Sequence, residues 1–417
     1  MTPPPTPTTL AAIATLAACA YSTPAREIHV KNVAAIVTEY RHNSHADIIV
    51  SRLLQTDTLD GKGKDSPLKL VSLYTDQKPS NDTSRMLAAS HRFPIYDTIE
   101  GALTLGTGEL AVDGVLLIGE HGDYPRSPTG NTQYPKRRFF EETIQVFKKS
   151  GRVVPVFNDK HLSDNWQDAK FIYDTTREMN IPFMAGSSLP GTWRKPAADV
   201  REGARIDQIV ALTFGSTDHY GFHALEFVQA LAEQRCGGET GIEAVQCLAG
   251  DAVWDAMDKG LYDPKVFQAA WDSLPGDRGE PRLRKSVPEP IAFILEYADG
   301  LRAFILELNG AVGQWTGAWR YRDSGKIESA QFYTQEARPG MHFTLLLNGI
   351  EKMILSGEPS WPVERTLMSS GALDALLQSR LDGGRRHQTP HLQFSYQSAW
   401  RWQQPPPPPP GRPWPEQ

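Results

Sequence analysis

The chain has 417 residues, 40% hydrophobic and 22% charged, with a formal net charge of -6. That length exceeds one ordinary core and suits two domains, and the composition is that of a soluble globular protein. An acidic balance excludes the basic excess of a nucleic-acid binder, and no apolar run reaches the ~18–20 residues needed to cross a bilayer.

Residues 1–26 are rich in Pro, Thr and Ala and read as a disordered leader or signal segment. Their apolar stretch ends Leu16-Ala17-Ala18-Cys19, the form of a lipoprotein cleavage site, but lacks the basic start of a signal peptide. The expectation is a cytoplasmic protein, with export through Cys19 as the alternative. The other end, 403–417, holds six consecutive prolines and reads as an extended, disordered tail. The three cysteines, Cys19, Cys236 and Cys247, make no metal or redox spacing and read as small buried thiols.

From Val33 short apolar runs alternate with longer amphipathic ones. Strands are predicted at 33–37, 70–74, 112–119, 152–157 and 181–185, and helices at 44–55, 80–90, 136–150 and 164–179. Ser44-His45-Ala46-Asp47 has the form of a capping box at the first helix. Such alternation implies right-handed crossovers and a parallel sheet, hence a Rossmann-type domain over 27–190. Ligands of such sheets bind beyond the carboxyl ends of the strands. The segments to watch are therefore 38–44, Thr75-Asp76, Glu120 to Tyr124, Asn158 to His161 and Gly186 to Ser188.

After Pro190 the pattern changes. Strands are predicted at 291–297 and 301–308 around the turn Asp299-Gly300, then at 314–321 and 328–334. Helices are predicted at 224–234, 264–273, 342–354 and 362–380. The fold class is thus α/β: a parallel Rossmann-type domain, then an α+β domain over 191–402 with an open, mostly antiparallel sheet.

This order resembles the Gfo/Idh/MocA family of NAD(P)-dependent oxidoreductases, which act mainly on sugars and polyols. Asp159-Lys160-His161 stands where that family has Glu-Lys-Pro. His219-Tyr220-Gly221-Phe222-His223-Ala224-Leu225-Glu226 stands where it has Asp-x-Gly-x-His-x-x-Asp. Gly221 and His223 match, His219 replaces an aspartate, and Glu226 keeps only the charge. The resemblance implies NAD or NADP as cofactor and a sugar-like small molecule as substrate. It also implies a homo-oligomer through the C-terminal sheet. Lys160 would polarise the substrate hydroxyl and His223 would exchange its proton.

The loop after the first strand, Thr38 to His45, departs from the family in having no glycine. Arg41, Asn43 and Ser44 are the candidates to meet a phosphate there, and Asp76 stands where an acidic residue binds an adenosine ribose. Glu120 and Asp159 complete the cofactor-facing set. His121, Asp123, Tyr124, Trp193, Arg194 and His219 are the candidate substrate contacts; Trp193 reads equally as packing in the hinge. Two alternatives stay open. His219, His223 and Glu226, at i, i+4 and i+7, could hold a divalent transition metal for a lyase, isomerase or hydrolase. A non-catalytic binding protein on the same fold is the other.

Overall fold

The computed structural model describes residues 1–2, 30–276, 282–335 and 338–407. Residues 3–29, Cys19 among them, and 408–417 of the proline tail lie outside the described residues. The described part of the chain builds two sheets.

The first sheet alternates with helices in chain order: β1 (Lys31–Val37), α1 (His45–Leu54), β2 (Leu68–Thr75), α2 (Ser84–His91), β3 (Ile95–Tyr96), α3 (Ile99–Thr104), β4 (Gly114–Ile118), α4 (Lys136–Ser150), β5 (Val156–Asp159), α5 (Trp166–Glu178) and β6 (Phe183–Gly186). The second part contains β7 (Trp193–Lys195), β8 (Ile206–Thr213), α6 (His219–Ala232), β9 (Ile242–Ala249), α7 (Asp251–Asp258), α8 (Pro264–Asp272), α9 (Leu283–Ser286), β10 (Ile291–Tyr297), β11 (Arg302–Glu307), β12 (Trp315–Tyr321), β13 (Ile327–Tyr333), α10 (His342–Ser356), α11 (Val363–Leu381) and β14 (His387–Gln388). Among the described residues no helix is long and apolar enough to cross a membrane.

The first sheet is parallel throughout, in the order β3-β2-β1-β4-β5-β6. This is the Rossmann order, and its direction reverses between β1 and β4, which opens the ligand crevice there. Both faces are apolar because both are covered. On one, Ala34, Ile36, Val115 and Leu117 pack against Phe139, Phe140 and Ile144 of α4. On the other, Val33, Ala35, Leu116 and Ile118 meet Ala46, Ile49 and Val50 of α1. That second face is completed by Leu346, Ile350, Met353 and Ile354 of α10, each contributing ~1.5–3 kcal/mol on burial. α10 thus lies in the 191–402 stretch of sequence and packs on the first sheet.

The start of α1 is capped by the serine that the sequence pattern marks. Ser44 Oγ accepts from Asp47 N at 3.2 Å, while Asp47 Oδ2 accepts from Asn43 N at 2.9 Å. Buried Arg52 then ties α1 to the entry of α10. Its guanidinium donates to Gly340 O at 2.7 Å and Thr344 Oγ1 at 3.3 Å, and also to Pro339 O and Ile48 O. Burial pulls its pKa down to about 9.

The second sheet has the order β14-β9-β10-β11-β8-β12-β13-β7, antiparallel except for the β8–β11 pair. Phe293, Leu295, Ile305 and Trp319 on one face bury α6 and α11. On the other face, Val210, Leu212, Ile294, Phe304 and Leu306 are roofed by Val253, Trp254, Val266, Phe267 and Trp271 of α7 and α8. Of the two thiols described, Cys247 is buried and Cys236, expected buried, is exposed.

Candidate active site

The carboxyl ends of β1, β4 and β5 and the start of α6 converge on a cavity of about 330 Å³. From the first domain it is lined by Asn43, His45, Glu120, His121, Tyr134 and Lys160. The second domain adds Ser216, His219, Tyr220, His223 and Trp315, and the entry to α10 adds His342 and Phe343.

Lys160 and His121 both hold left-handed backbone, with φ 59° and 71°. Such conformations are strained for residues with a side chain and persist only where the surroundings enforce them. For Lys160 the enforcement is visible. Its N–H donates to Gly186 O at 3.2 Å and its carbonyl accepts from Gly186 N at 3.1 Å. Behind this turn, the fully buried Lys136 Nζ donates to Asp159 O at 2.6 Å and His161 O at 3.1 Å. Burial pulls the Lys136 pKa down to about 8. Gly186 is needed for space as well as for its φ of +119°, because a Cβ there would lie 2.4 Å from Glu226 Oε2. Gly221, inside α6, lets that helix approach β10, since a Cβ would lie 2.9 Å from Phe293.

The charges in the cavity are paired. Lys160 Nζ donates to Glu120 Oε1 at 2.7 Å, both side chains being buried. Burial pushes the Glu120 carboxyl up, but Lys160, His45, Lys136 and His219 outweigh it and hold it well below the usual carboxylate range. His121 and His223 are held neutral by desolvation. Burial, with His45 beside it, brings His121 down to about 3, and burial with Lys160 nearby holds His223 well below the usual histidine value. His223 Nδ1 lies 2.6 Å from Ser187 Oγ. His219 Nδ1 lies 2.7 Å from Asp218 Oδ1, and its Nε2 lies 3.2 Å from Tyr134 OH and 3.7 Å from Glu120 Oε1.

The structure brings Asn43, Glu120, His121, Lys160, His219 and His223 to this cavity and places the other expected residues elsewhere. Ser44 is occupied as a helix cap, and Arg41 pairs with Glu39. Asp159 lies just behind the wall, where its Oδ2 accepts from His45 Nδ1 at 2.7 Å. Tyr40, bulky in the sequence, turns into the core and meets Ser51 Oγ at 2.7 Å. Trp193 and Arg194, expected against substrate, are structural instead. Trp193 packs on Tyr333 and Met341 and donates to Pro406 O at 3.0 Å. Arg194 is buried on Asp199 at 2.6 Å, between the rings of Phe332 and Trp402. Lys136, Arg137 and Arg138 are likewise committed, Arg137 to Asp168 and Arg138 to Asp76.

The alternative metal set is not assembled. Glu226 faces away from the cavity, accepting from Ser187 N at 3.2 Å, and burial raises its pKa to about 7 against the pull of Arg365. Among the described residues no group of three or more His, Cys, Asp or Glu side chains is arranged to hold a metal ion.

A dinucleotide lying over β1 and β4 meets two different environments. At the nicotinamide end, buried Glu120 Oε2 and His121 Nδ1 have no hydrogen-bond partner among the described residues, and a carboxamide offers both a donor and an acceptor to match. That end fits. The adenosine end is spanned by protein. Gln77 Nε2 donates to Asp123 O at 2.7 Å, and Asp123 N donates back to Gln77 Oε1 at 2.8 Å. Asp76, expected at the ribose, accepts from Tyr74 and Tyr124, each at 2.7 Å, and from Arg138.

Several cavity residues had no functional reading in the sequence. His45 is masked by the capping box in which it sits, and Tyr134 lies in a polar stretch with no motif of its own. Trp315, His342 and Phe343 come from apolar strand and helix patterns that signal packing alone.

No protein-family model matches the chain, and no curated protein does. Solved structures do match. GenD2 from gentamicin A biosynthesis, in complex with NAD, superposes with a TM-score of 0.54 at 14% identity, over 87% of this chain and 97% of that one. Scyllo-inositol dehydrogenase from Lactobacillus casei, with bound NAD(H) and scyllo-inositol, gives 0.52 at 12% identity, over 86% and 99%. A myo-inositol dehydrogenase from Corynebacterium glutamicum gives 0.51 at 10% identity, over 86% and 98%. Two of these neighbours are inositol dehydrogenases, and the likeness at such identities is one of fold.

Proposed function

We propose that the chain is a nicotinamide-dependent oxidoreductase that oxidises a hydroxyl of a sugar, polyol or related small molecule. The observation that carries this reading is the buried Lys160–Glu120 pair facing neutral imidazoles across the interdomain cavity. The fold neighbours bind NAD and, in one case, scyllo-inositol, which supports the same class.

The cofactor supplies a hydride acceptor. Asn43, Glu120 and His121 are the residues that would hold its nicotinamide end. The ammonium of Lys160 donates to the substrate oxygen and stabilises the charge that grows as its proton leaves, while Glu120 keeps that ammonium aimed. A neutral imidazole on α6 takes the proton. α6 brings two imidazoles to the cavity, His219 and His223, and the resemblance points to His223 for this role.

The test is NADH or NADPH formation by the full chain with a panel of cyclitols and hexoses, compared with Lys160→Met. The variant is expected to lose at least ~10²-fold in kcat, the usual share of one acid–base or polarising group. Equal turnover by the two proteins would overturn the reading.

A further inference from the structure

Two imidazoles of α6, four residues apart, share the cavity, and their Nδ1 edges face different partners. His219 Nδ1 lies 2.7 Å from Asp218 Oδ1. Burial works to raise the Asp218 carboxyl, but its bonds to His219 win and keep it below its usual range, so it is ionised and can only accept. Nδ1 therefore donates, and in the neutral ring the lone pair lies on Nε2. Ser216 Oγ, 3.1 Å from the same Nδ1, is the other neighbour of that edge.

At His223 the logic reverses. Ser187 Oγ accepts from Leu189 N at 3.1 Å and lies 2.6 Å from His223 Nδ1, an edge that faces a hydroxyl and no carboxylate. With the hydroxyl as donor across that contact, Nδ1 accepts and the neutral ring carries its hydrogen on Nε2.

We infer that the Asp218–His219 pair takes the hydroxyl proton, and that His223 presents an Nε2–H donor to the reacting oxygen. The inference rests on the dehydrogenase reading for the reaction, and on the hydrogen-bond partners of the two rings, with the ionised Asp218, for which ring does what. The arrangement repeats the logic by which a carboxylate fixes the tautomer of a catalytic histidine and stabilises its cation. Here the cation has a carboxylate at each edge, Asp218 at Nδ1 and Glu120 3.7 Å from Nε2. Tyr134 OH, 3.2 Å from Nε2, holds the lone pair until a substrate hydroxyl replaces it. In the balanced step the substrate C–H bond breaks and its electron pair leaves as hydride to the oxidised nicotinamide. The O–H bond breaks with its proton going to His219 Nε2, and the C–O bond becomes C=O. Asp218 is a positioning residue, and His219 stands where the resembled family has an aspartate, so a neighbouring acid restores the carboxylate one residue earlier.

The experiment is a two-bond ¹⁵N–¹H correlation spectrum of the full chain labelled at histidine, at a pH where the rings are neutral. Signals are assigned by their loss in His219→Gln and His223→Gln. The expected pattern is the Nδ1–H tautomer for His219 and the Nε2–H tautomer for His223. Asp218→Ala should shift His219 toward Nε2–H and leave His223 unchanged, and Ser187→Ala should do the converse. A wild-type His219 with its hydrogen on Nε2, or an Asp218→Ala spectrum with His219 unmoved, would overturn the assignment. The spectrum needs neither turnover nor nucleotide, so failure of the dehydrogenase reading would leave it intact, and a reversed pattern would remove the dyad without touching that reading.

Discussion

Lys160 concentrates the chemistry of the site in one strained residue, and its loss should be felt in stability as well as rate. Removing one partner of a buried ion pair leaves the other charge uncompensated, which costs ~3–5 kcal/mol. Lys160→Ala is therefore expected to unfold at markedly lower urea than the wild type, with Glu120→Gln in the same background recovering part of the difference. An unchanged midpoint would mean that the pair is solvated. The histidines set the acid limit. His121 has a folded pKa of about 3 against an unfolded value near ~6.5, and His161 and His223 are depressed in the same direction. The unfolded chain thus binds more protons below pH ~6.5, so the stability these groups contribute is complete above that value. It is lost as pH falls toward 3. Urea midpoints across that window should fall steadily with pH, and His121→Phe should flatten part of the slope.

At the scale of elements, the site depends on segments that are distant in sequence. Gly186 lets β6 end against Glu226 of α6 with positive φ, so Gly186→Ala meets both a strained backbone and a 2.4 Å contact. A loss of at least ~2 kcal/mol is expected, together with weaker ligand binding because the Lys160 turn is hydrogen-bonded to that glycine. Arg52 fixes the entry of α10 and hence the wall formed by His342 and Phe343. Arg52→Met strands the Pro339 and Gly340 carbonyls at ~1–3 kcal/mol each, and calorimetric unfolding should show it. Such couplings explain what was legible in the sequence. The β–α alternation of the first domain is written in local periodicity, and Lys160 and His223 sit in motifs at strand and helix ends. The strands 206–213 and 242–249 went unread, and so did the convergence of 315 and 342–343 on the cavity. Long-range packing places these, and local pattern does not encode it. Of the two readings of Trp193 the packing one holds, and Arg194 is buried on Asp199, because residues that follow a strand end can turn into the core as readily as into a cleft.

On the scale of the whole molecule, the second sheet is the surface through which the resemblance led us to expect an oligomer. In this chain α7 and α8 occupy its outer face with Trp254, Phe267 and Trp271. Phe267→Asp is accordingly expected to lower the melting temperature of the molecule while its mass by light scattering stays constant. A drop in mass at unchanged melting temperature would show that this face meets a second copy. The cofactor crevice is the other feature of this scale. One end matches a carboxamide, and at the other the Gln77–Asp123 hydrogen bonds join the loops after β2 and β4. Nucleotide binding is therefore the point on which the whole account turns. The direct measurement is mass spectrometry of nucleotide released from the purified full chain, with the shift in melting temperature on adding NAD or NADP. Nucleotide recovered with the protein, or a melting temperature that rises with nucleotide concentration by mass action, is the predicted result. Protein that carries no nucleotide and shows no shift at millimolar NAD or NADP would contradict the account.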